Sequence, residues 1–115
     1  CRFNVLHVCD YHDSYDDLTP FLDYPGHVVN CSPHVGGAVL SGAEIARMFQ
    51  RPFMGGMERK GILAAGTPEQ VREEARRVLR DAPDRFILAA DCTVPGDTPR
   101  ENLRAAIEEA HSFRK

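Results

Sequence analysis

Four short apolar runs, each leading into a helical signature, constrain the fold of this chain more than any other feature. They are Phe3 to Cys9, His27 to Cys31, Pro52 to Met54 and Phe86 to Ala90. In the first and last, apolar residues stand at both parities: Phe3 and Val5 against Leu6 and Val8, Phe86 and Leu88 against Ile87 and Ala89. A strand that is apolar on both faces is covered on both, which is the habit of parallel strands lying between helices. Helix starts are written as capping boxes at Ser41 with Glu44, Thr67 with Gln70 and Thr98 with Glu101, where side chain and backbone satisfy each other's orphan donors. Pro68 and Pro99 then take first helical positions, where no intrahelical N–H is needed. Val71, Ala75, Val78 and Leu79 form one apolar helix stripe, and Leu103, Ile107 and Ala110 another. The segment Ser14 to Leu22 contains Pro20, so a helix there is expected to be short or broken. The expected fold is therefore α/β, four βα units with parallel strands. Their strand centres lie about 24, 24 and 35 residues apart, close to the about 30 residues of one unit in an eightfold barrel. Four units are half of a (β/α)8 TIM barrel, and residues 1–115 form one such half-barrel domain.

Composition narrows the function classes. With 27% charged residues and a net charge of −3, the chain lacks the basic excess of a nucleic-acid binder. No apolar run approaches the about 20 residues needed to span a bilayer, so the cytoplasm is the expected location. The first residue is Cys rather than Met, and a strand begins almost at once with no signal peptide in front. We expect a fragment or processed piece. In a half-barrel, inward-facing residues such as Phe3, Val5, Phe86 and Leu88 lack a partner and both sheet edges are open. A homo-oligomer of half-barrels, or pairing with a missing amino-terminal half, is expected.

Candidate chemistry sits where strands run out into loops. His7 and Cys9 close the first run, and strand alternation points them the same way; Cys92 closes the run FILAADC. One imidazole and two thiolates leave a tetrahedral zinc with an open position, the arrangement of catalytic zinc. The competing interpretation is that strand-end cysteines are small buried hydrophobes. The four cysteines are unevenly spaced, at 1, 9, 31 and 92, and suit reduced thiols more than disulfides. Cys1 lies eight residues before Cys9, roughly 26 Å away at about 3.3 Å per residue, and cannot join a site there.

The run FILAADCTVPGDTPRENL resembles the last strand and loop of the uroporphyrinogen decarboxylase superfamily, with Thr98, Pro99, Glu101 and Asn102 matching its helix start. GTPEQVREE (Gly66 to Glu74) is similar to that family's preceding helix start, FMGGMER to its seventh strand and turn, and LHVCD to its fifth strand. The resemblance covers essentially the whole chain and implies the carboxyl-terminal half of a (β/α)8 barrel. True uroporphyrinogen decarboxylases carry Gly-His-Gly where this chain has Asp91-Cys92-Thr93. The zinc-dependent branch, which moves methyl groups between corrinoids and thiols, uses His-x-Cys on the fifth strand and a Cys after the eighth, and His7, Cys9 and Cys92 match that set. The resemblance thus implies zinc as cofactor, a corrinoid as methyl donor and a small thiol as acceptor. Cobalamin-independent methionine synthase is similar and adds a carboxylate ligand on the sixth strand. Counting 24 residues from His7 lands on Cys31, a candidate fourth ligand. Asp10 departs from the usual Gly of the methyltransferase pattern and is a candidate for narrowing the pocket mouth. The alternatives are decarboxylation of a tetrapyrrole in porphyrin biosynthesis, and a non-catalytic tetrapyrrole- or corrinoid-binding module.

Weaker candidates come with plainer explanations. Gly55-Gly56 after the third run could let a backbone approach a substrate phosphate or carboxylate, though a tight turn explains the pair too. His34, beside Gly36-Gly37, could reach substrate or be a surface loop residue. His12, Asp13, Asp16 and Asp17 read as a solvated helix start, and Arg72, Arg76 and Arg77 as a helix exterior among glutamates.

Overall fold

The structure, a computed structural model, describes residues 2–9 and 14–115. In chain order its elements are β1 (Val5–His7), a 3-10 turn (Thr19–Phe21), β2 (Val28–Asn30), β3 (His34–Val35), β4 (Ala38–Val39), α1 (Gly42–Phe49), β5 (Phe53–Met57), α2 (Ile62–Ala65), α3 (Pro68–Asp81), β6 (Phe86–Ala90) and α4 (Arg100–Ser112). β1, β2, β5 and β6 form one sheet in that order, every neighbouring pair parallel. The expected α/β half-barrel is the observed architecture.

Helices cover the convex side of this sheet through two apolar clusters. Ile45 and Phe49 of α1 pack with Val29 and Phe53 from the strands and Cys31 just past β2, and Val8 and Leu18 complete the group. Met57, Leu63, Val71, Ala75, Ala105 and Ala106 form the second, beneath α2, α3 and α4. The capping boxes expected at Ser41 and Thr67 are both closed by reciprocal hydrogen bonds. Arg51 ties the loop before β2 in place, its guanidinium donating to the carbonyls of Leu22, Tyr24 and Gly26.

Five expectations are corrected in detail. The third strand does not stop at Met54. It runs to Met57, and Gly55-Gly56, expected in a loop, pair within it to Leu88 and Ala89. Both glycines have positive φ, 156° and 97°, and a Cβ on Gly56 would stand 2.4 Å from Val78 Cγ1; the strand continues because glycine lets its backbone lie against α3. Phe86 and Leu88 pack under the helices rather than facing the barrel interior; Ile87, 42% exposed, takes the concave side with Val5 and Phe3. On α4 the buried face is Asn102, Ala105, Ala106 and Glu109, and Ile107 is 56% exposed. That rotation has a polar cause: Asn102 Nδ2 donates to the carbonyls of Leu63 and Gly66, and Arg76 reaches Glu109 at 2.6 Å. The third capping box is not formed, because Pro99, not Thr98, holds the N-cap and makes no side-chain cap bond. Finally, the loop after Cys31 contains a hairpin, with His34 opposite Val39 across Gly36-Gly37. Both glycines have positive φ, 58° and 78°, as the two-residue turn of such a hairpin requires.

The segment Ser14 to Leu22 keeps only the 3-10 turn beginning at Thr19, as Pro20 led us to expect.

Candidate metal centre

His7 is the last residue of β1, and strand register decides which side chains join it. His7 pairs with Asn30, Asn30 with Met54 and Met54 with Ile87, so these four share the concave face. β1 and β6 are the two edges of the sheet. Flat strands at about 4.8 Å spacing would hold those edges roughly 14 Å apart. Barrel curvature closes that gap at the carboxyl ends. Cys92, just past β6, brings its Sγ to 3.5 Å from His7 Nε2 and 3.8 Å from Cys9 Sγ. All three donor atoms lie within 4.8 Å of one another, with His7 and Cys9 exposed and Cys92 half-buried. An imidazole nitrogen and two sulfurs at this spacing could hold a soft divalent cation and leave its solvent side open.

Asn30 orients this group, and sequence reasoning missed it. Its Nδ2 donates to the carbonyls of Met54 (2.8 Å) and Ala90 (3.0 Å), which fixes the amide so that Oδ1 faces His7. His7 Nδ1 lies 2.5 Å from that oxygen. The proton therefore sits on Nδ1, and Nε2 presents its lone pair towards Cys92.

Cys31 is not part of the cluster. It is wholly buried in the first apolar core, and the described residues that converge are His7, Cys9 and Cys92 alone. The physical reason is register: the offset from β1 to β2 is 23 residues, as Val5 to Val28, and a count of 24 is one residue too far. One step along a strand changes the face.

A cleft of about 390 Å³ opens at the same end of the sheet. Ser14 from the segment after β1, His34 from that after β2, Glu58 and Lys60 after β5, and Asp91 after β6 all line it, the placement expected of a barrel's active-site loops. His34 Nε2 lies 3.0 Å from Glu58 Oε1. Asp91 is buried, and its Oδ1 accepts the Arg59 backbone N–H at 2.9 Å. Glu58 and Asp91 were legible only as members of the motifs FMGGMER and Asp91-Cys92-Thr93; nothing in their spacing marks them as cleft residues.

The remaining candidates separate cleanly. Gly56 faces α3 and Phe86 rather than this cleft. Asp17 accepts the backbone N–H and hydroxyl of Thr19, which hold its carboxyl below the usual carboxylate range, the hydroxyl having the larger effect. Arg72 and Arg76 bridge α3 to Glu108 and Glu109 of α4, and Arg77 pairs with Glu74. Cys1, Asp10, His12 and Asp13 lie outside the described residues.

Four solved chains match this one. Among them a methyltransferase from Methanosarcina mazei superposes with a TM-score of 0.70 at 21% identity, covering 95% of this chain and 31% of its own. This chain thus spans about a third of that protein's length, and the likeness establishes the fold. No curated protein matches the chain. The family model described as uroporphyrinogen decarboxylase matches residues 5–113, nearly the whole chain and all four strands of the parallel sheet. The chain belongs to the uroporphyrinogen decarboxylase family.

Proposed function

We propose that this chain is the carboxyl-terminal half of a barrel enzyme that transfers a methyl group from a methylated corrinoid to a small thiol, with a zinc ion held by His7, Cys9 and Cys92. The observation that carries the reading is the donor spacing. Tetrahedral zinc with Zn–S near 2.3 Å and Zn–N near 2.05 Å separates two sulfurs by about 3.8 Å and sulfur from nitrogen by about 3.6 Å. The chain places them 3.8 and 3.5 Å apart. Asn30 supports the same reading, since it leaves His7 Nε2 free of a proton.

When bound, zinc supplies one thing: it lowers the pKa of a thiol that joins it, so that the sulfur is a nucleophile at neutral pH. The chain's own residues do the rest. His7, Cys9 and Cys92 fix where that thiol stands, and with His7 and Cys9 exposed the site is open to the thiol and the donor. The methyltransferase from Methanosarcina mazei is consistent with this branch of the family.

Membership of the uroporphyrinogen decarboxylase family also favours a second reading, tetrapyrrole decarboxylation. Cys92 weighs against it, because a thiol with a reference pKa near 8.5 is a poor proton donor at neutral pH. Two assays on the parent enzyme decide. We expect chelator-sensitive methylation of a thiol by methylcobalamin, lost in Cys92→Ser, and no turnover of uroporphyrinogen. Release of carbon dioxide from uroporphyrinogen, unaffected by chelator or by Cys92→Ser, would replace the first reading with the second. Binding of either ligand with no turnover of any kind would support a binding module instead.

A further inference from the structure

Two of the three converging donors are thiols, and they are neighbours. Cys9 Sγ and Cys92 Sγ stand 3.8 Å apart, while the remaining described cysteine, Cys31, is wholly buried in the first apolar core. A disulfide holds its sulfurs about 2.05 Å apart, so the pair has to close by roughly 1.8 Å, a distance that rotation about a Cα–Cβ bond supplies. Neither residue is held in a strand ladder: the last pairs are His7 with Asn30 in β1 and Ala90 with Met57 in β6, and both cysteines lie beyond them. Their exposure differs in a way that orders the chemistry. Cys9 is exposed and Cys92 half-buried, so an oxidant arriving from solvent meets Cys9 first and leaves Cys92 beside it. An accessible thiol with a second one next to it is the arrangement of reversible redox pairs.

We propose that Cys9 and Cys92 are a redox pair, joined by a disulfide under peroxide and reopened by small thiols, which switches the metal centre off and on. The effect on the centre rests on the zinc reading above; the pair itself does not. In the metal-free protein Cys9 sulfur attacks the peroxide: an S–O bond forms, the O–O bond breaks, and the departing oxygen leaves as water with the thiol's proton. Cys92 sulfur then attacks Cys9 sulfur. The S–S bond forms, the S–O bond breaks, and a second water leaves with the Cys92 proton. Each sulfur gives up one electron and each peroxide oxygen gains one. When both cysteines start as zinc-bound thiolates the two protons come from solvent, and His7 is left as the single donor, too few to retain the ion. Two molecules of a small thiol reverse the bond by exchange, returning a proton to each cysteine and leaving as their own disulfide. The acceptor class proposed for the centre is thereby also its reductant, so the centre is open when transfer has a substrate and closed when oxidant prevails. The bond also joins the carboxyl ends of β1 and β6, the two edges of the sheet.

The test treats the parent enzyme, metal-free and zinc-loaded, with stoichiometric hydrogen peroxide. Peptide mapping by mass spectrometry without reduction is expected to find the Cys9 peptide joined to the Cys92 peptide in the metal-free protein, and 2-mercaptoethanol is expected to separate them again. In the zinc-loaded protein a chromogenic chelator should read the release of about one zinc per chain as that linked peptide appears. Cys92→Ser has no thiol to complete the bond, so its Cys9 is expected to stop as sulfenic acid and be captured by dimedone. Cys31→Ala should still give the linked peptide. Peroxide treatment of the metal-free protein that yields no Cys9–Cys92 bond, or joins Cys9 to another cysteine or another chain instead, overturns the inference. The two readings fail separately. Zinc uptake with no Cys9–Cys92 bond removes the redox pair and leaves the zinc centre, whereas the bond in a protein that takes up no zinc removes the zinc centre and leaves the pair.

Discussion

At the scale of single residues, the proposed metal centre rests on Asn30 as much as on its three donors. Removing an outer hydrogen-bond partner of a metal-binding histidine commonly weakens metal affinity by about 10- to 100-fold. Asn30→Ala is therefore expected to lower zinc affinity by that factor in a chelator competition, and an unchanged affinity would mean that His7 is held some other way. The same substitution leaves the carbonyls of Met54 and Ala90 without the donor they have now, which costs about 1–3 kcal/mol of stability. Denaturant titration separates the two effects. Cys31 makes the opposite case: being wholly buried among Val8, Ile45 and Phe53, it behaves as a small apolar residue. Cys31→Ala should keep the full zinc content measured by elemental analysis and lose only about 1 kcal/mol of stability, the value of a small buried group. Loss of zinc in Cys31→Ala, with the fold retained, would restore it as a ligand.

Among the elements, β5 and the pair α3 and α4 carry the most specific demands. Gly56→Ala asks for a side chain where Val78 Cγ1 is 2.4 Å away and φ is 97°. Strain and overpacking together should cost about 2–4 kcal/mol, whereas Gly37→Ala, with φ 78° but open space around it, should cost only about 1 kcal/mol. Equal thermal shifts for the two would show that the packing against α3 is looser than drawn. The salt bridge within α3 gives a pH signature. The hydrogen bonds from Arg77 hold the Glu74 carboxyl below its ordinary 4.5, against a smaller opposing effect of burial. A carboxyl whose folded value is depressed stabilises the fold above its unfolded value and loses that contribution as the pH falls through the folded one. Wild type and Glu74→Gln should therefore differ in Tm at pH 7 and converge below about pH 4.5. With Arg77 more than half exposed, the difference is a few tenths of a kcal/mol; a gap that persists in acid would assign it to packing instead.

For the whole molecule, the open concave face is the dominant fact. Phe3, Val5 and Ile87 are 54%, 42% and 42% exposed there, and β1 and β6 each leave one edge unpaired in the four-stranded sheet. Apolar faces and free edges of this kind favour association. The isolated chain is expected to form a homodimer or larger oligomer at micromolar concentration, and light scattering that finds a stable monomer would refute this. No helix among the described residues is long and apolar enough to cross a membrane.

What could be read from the linear chain was whatever depends on near neighbours. Apolar residues at both parities implied parallel strands, the pairs Ser41 with Glu44 and Thr67 with Gln70 marked two helix starts, and His-x-Cys put two donors on one face, because strand and helix periods act over a few residues. Cys92 was joined to that pair through the family resemblance, not through any local period. Everything that depended on register or curvature was decided only in three dimensions. A one-residue slip in counting assigned the place of Asn30 to Cys31; α4 turned its small residues and Asn102 inward because α2 and α3 present carbonyls and Arg76 to that face. The meeting of His7 with Cys92 across 85 residues belongs to the curvature of the sheet, a property of all four strands together and of no segment alone.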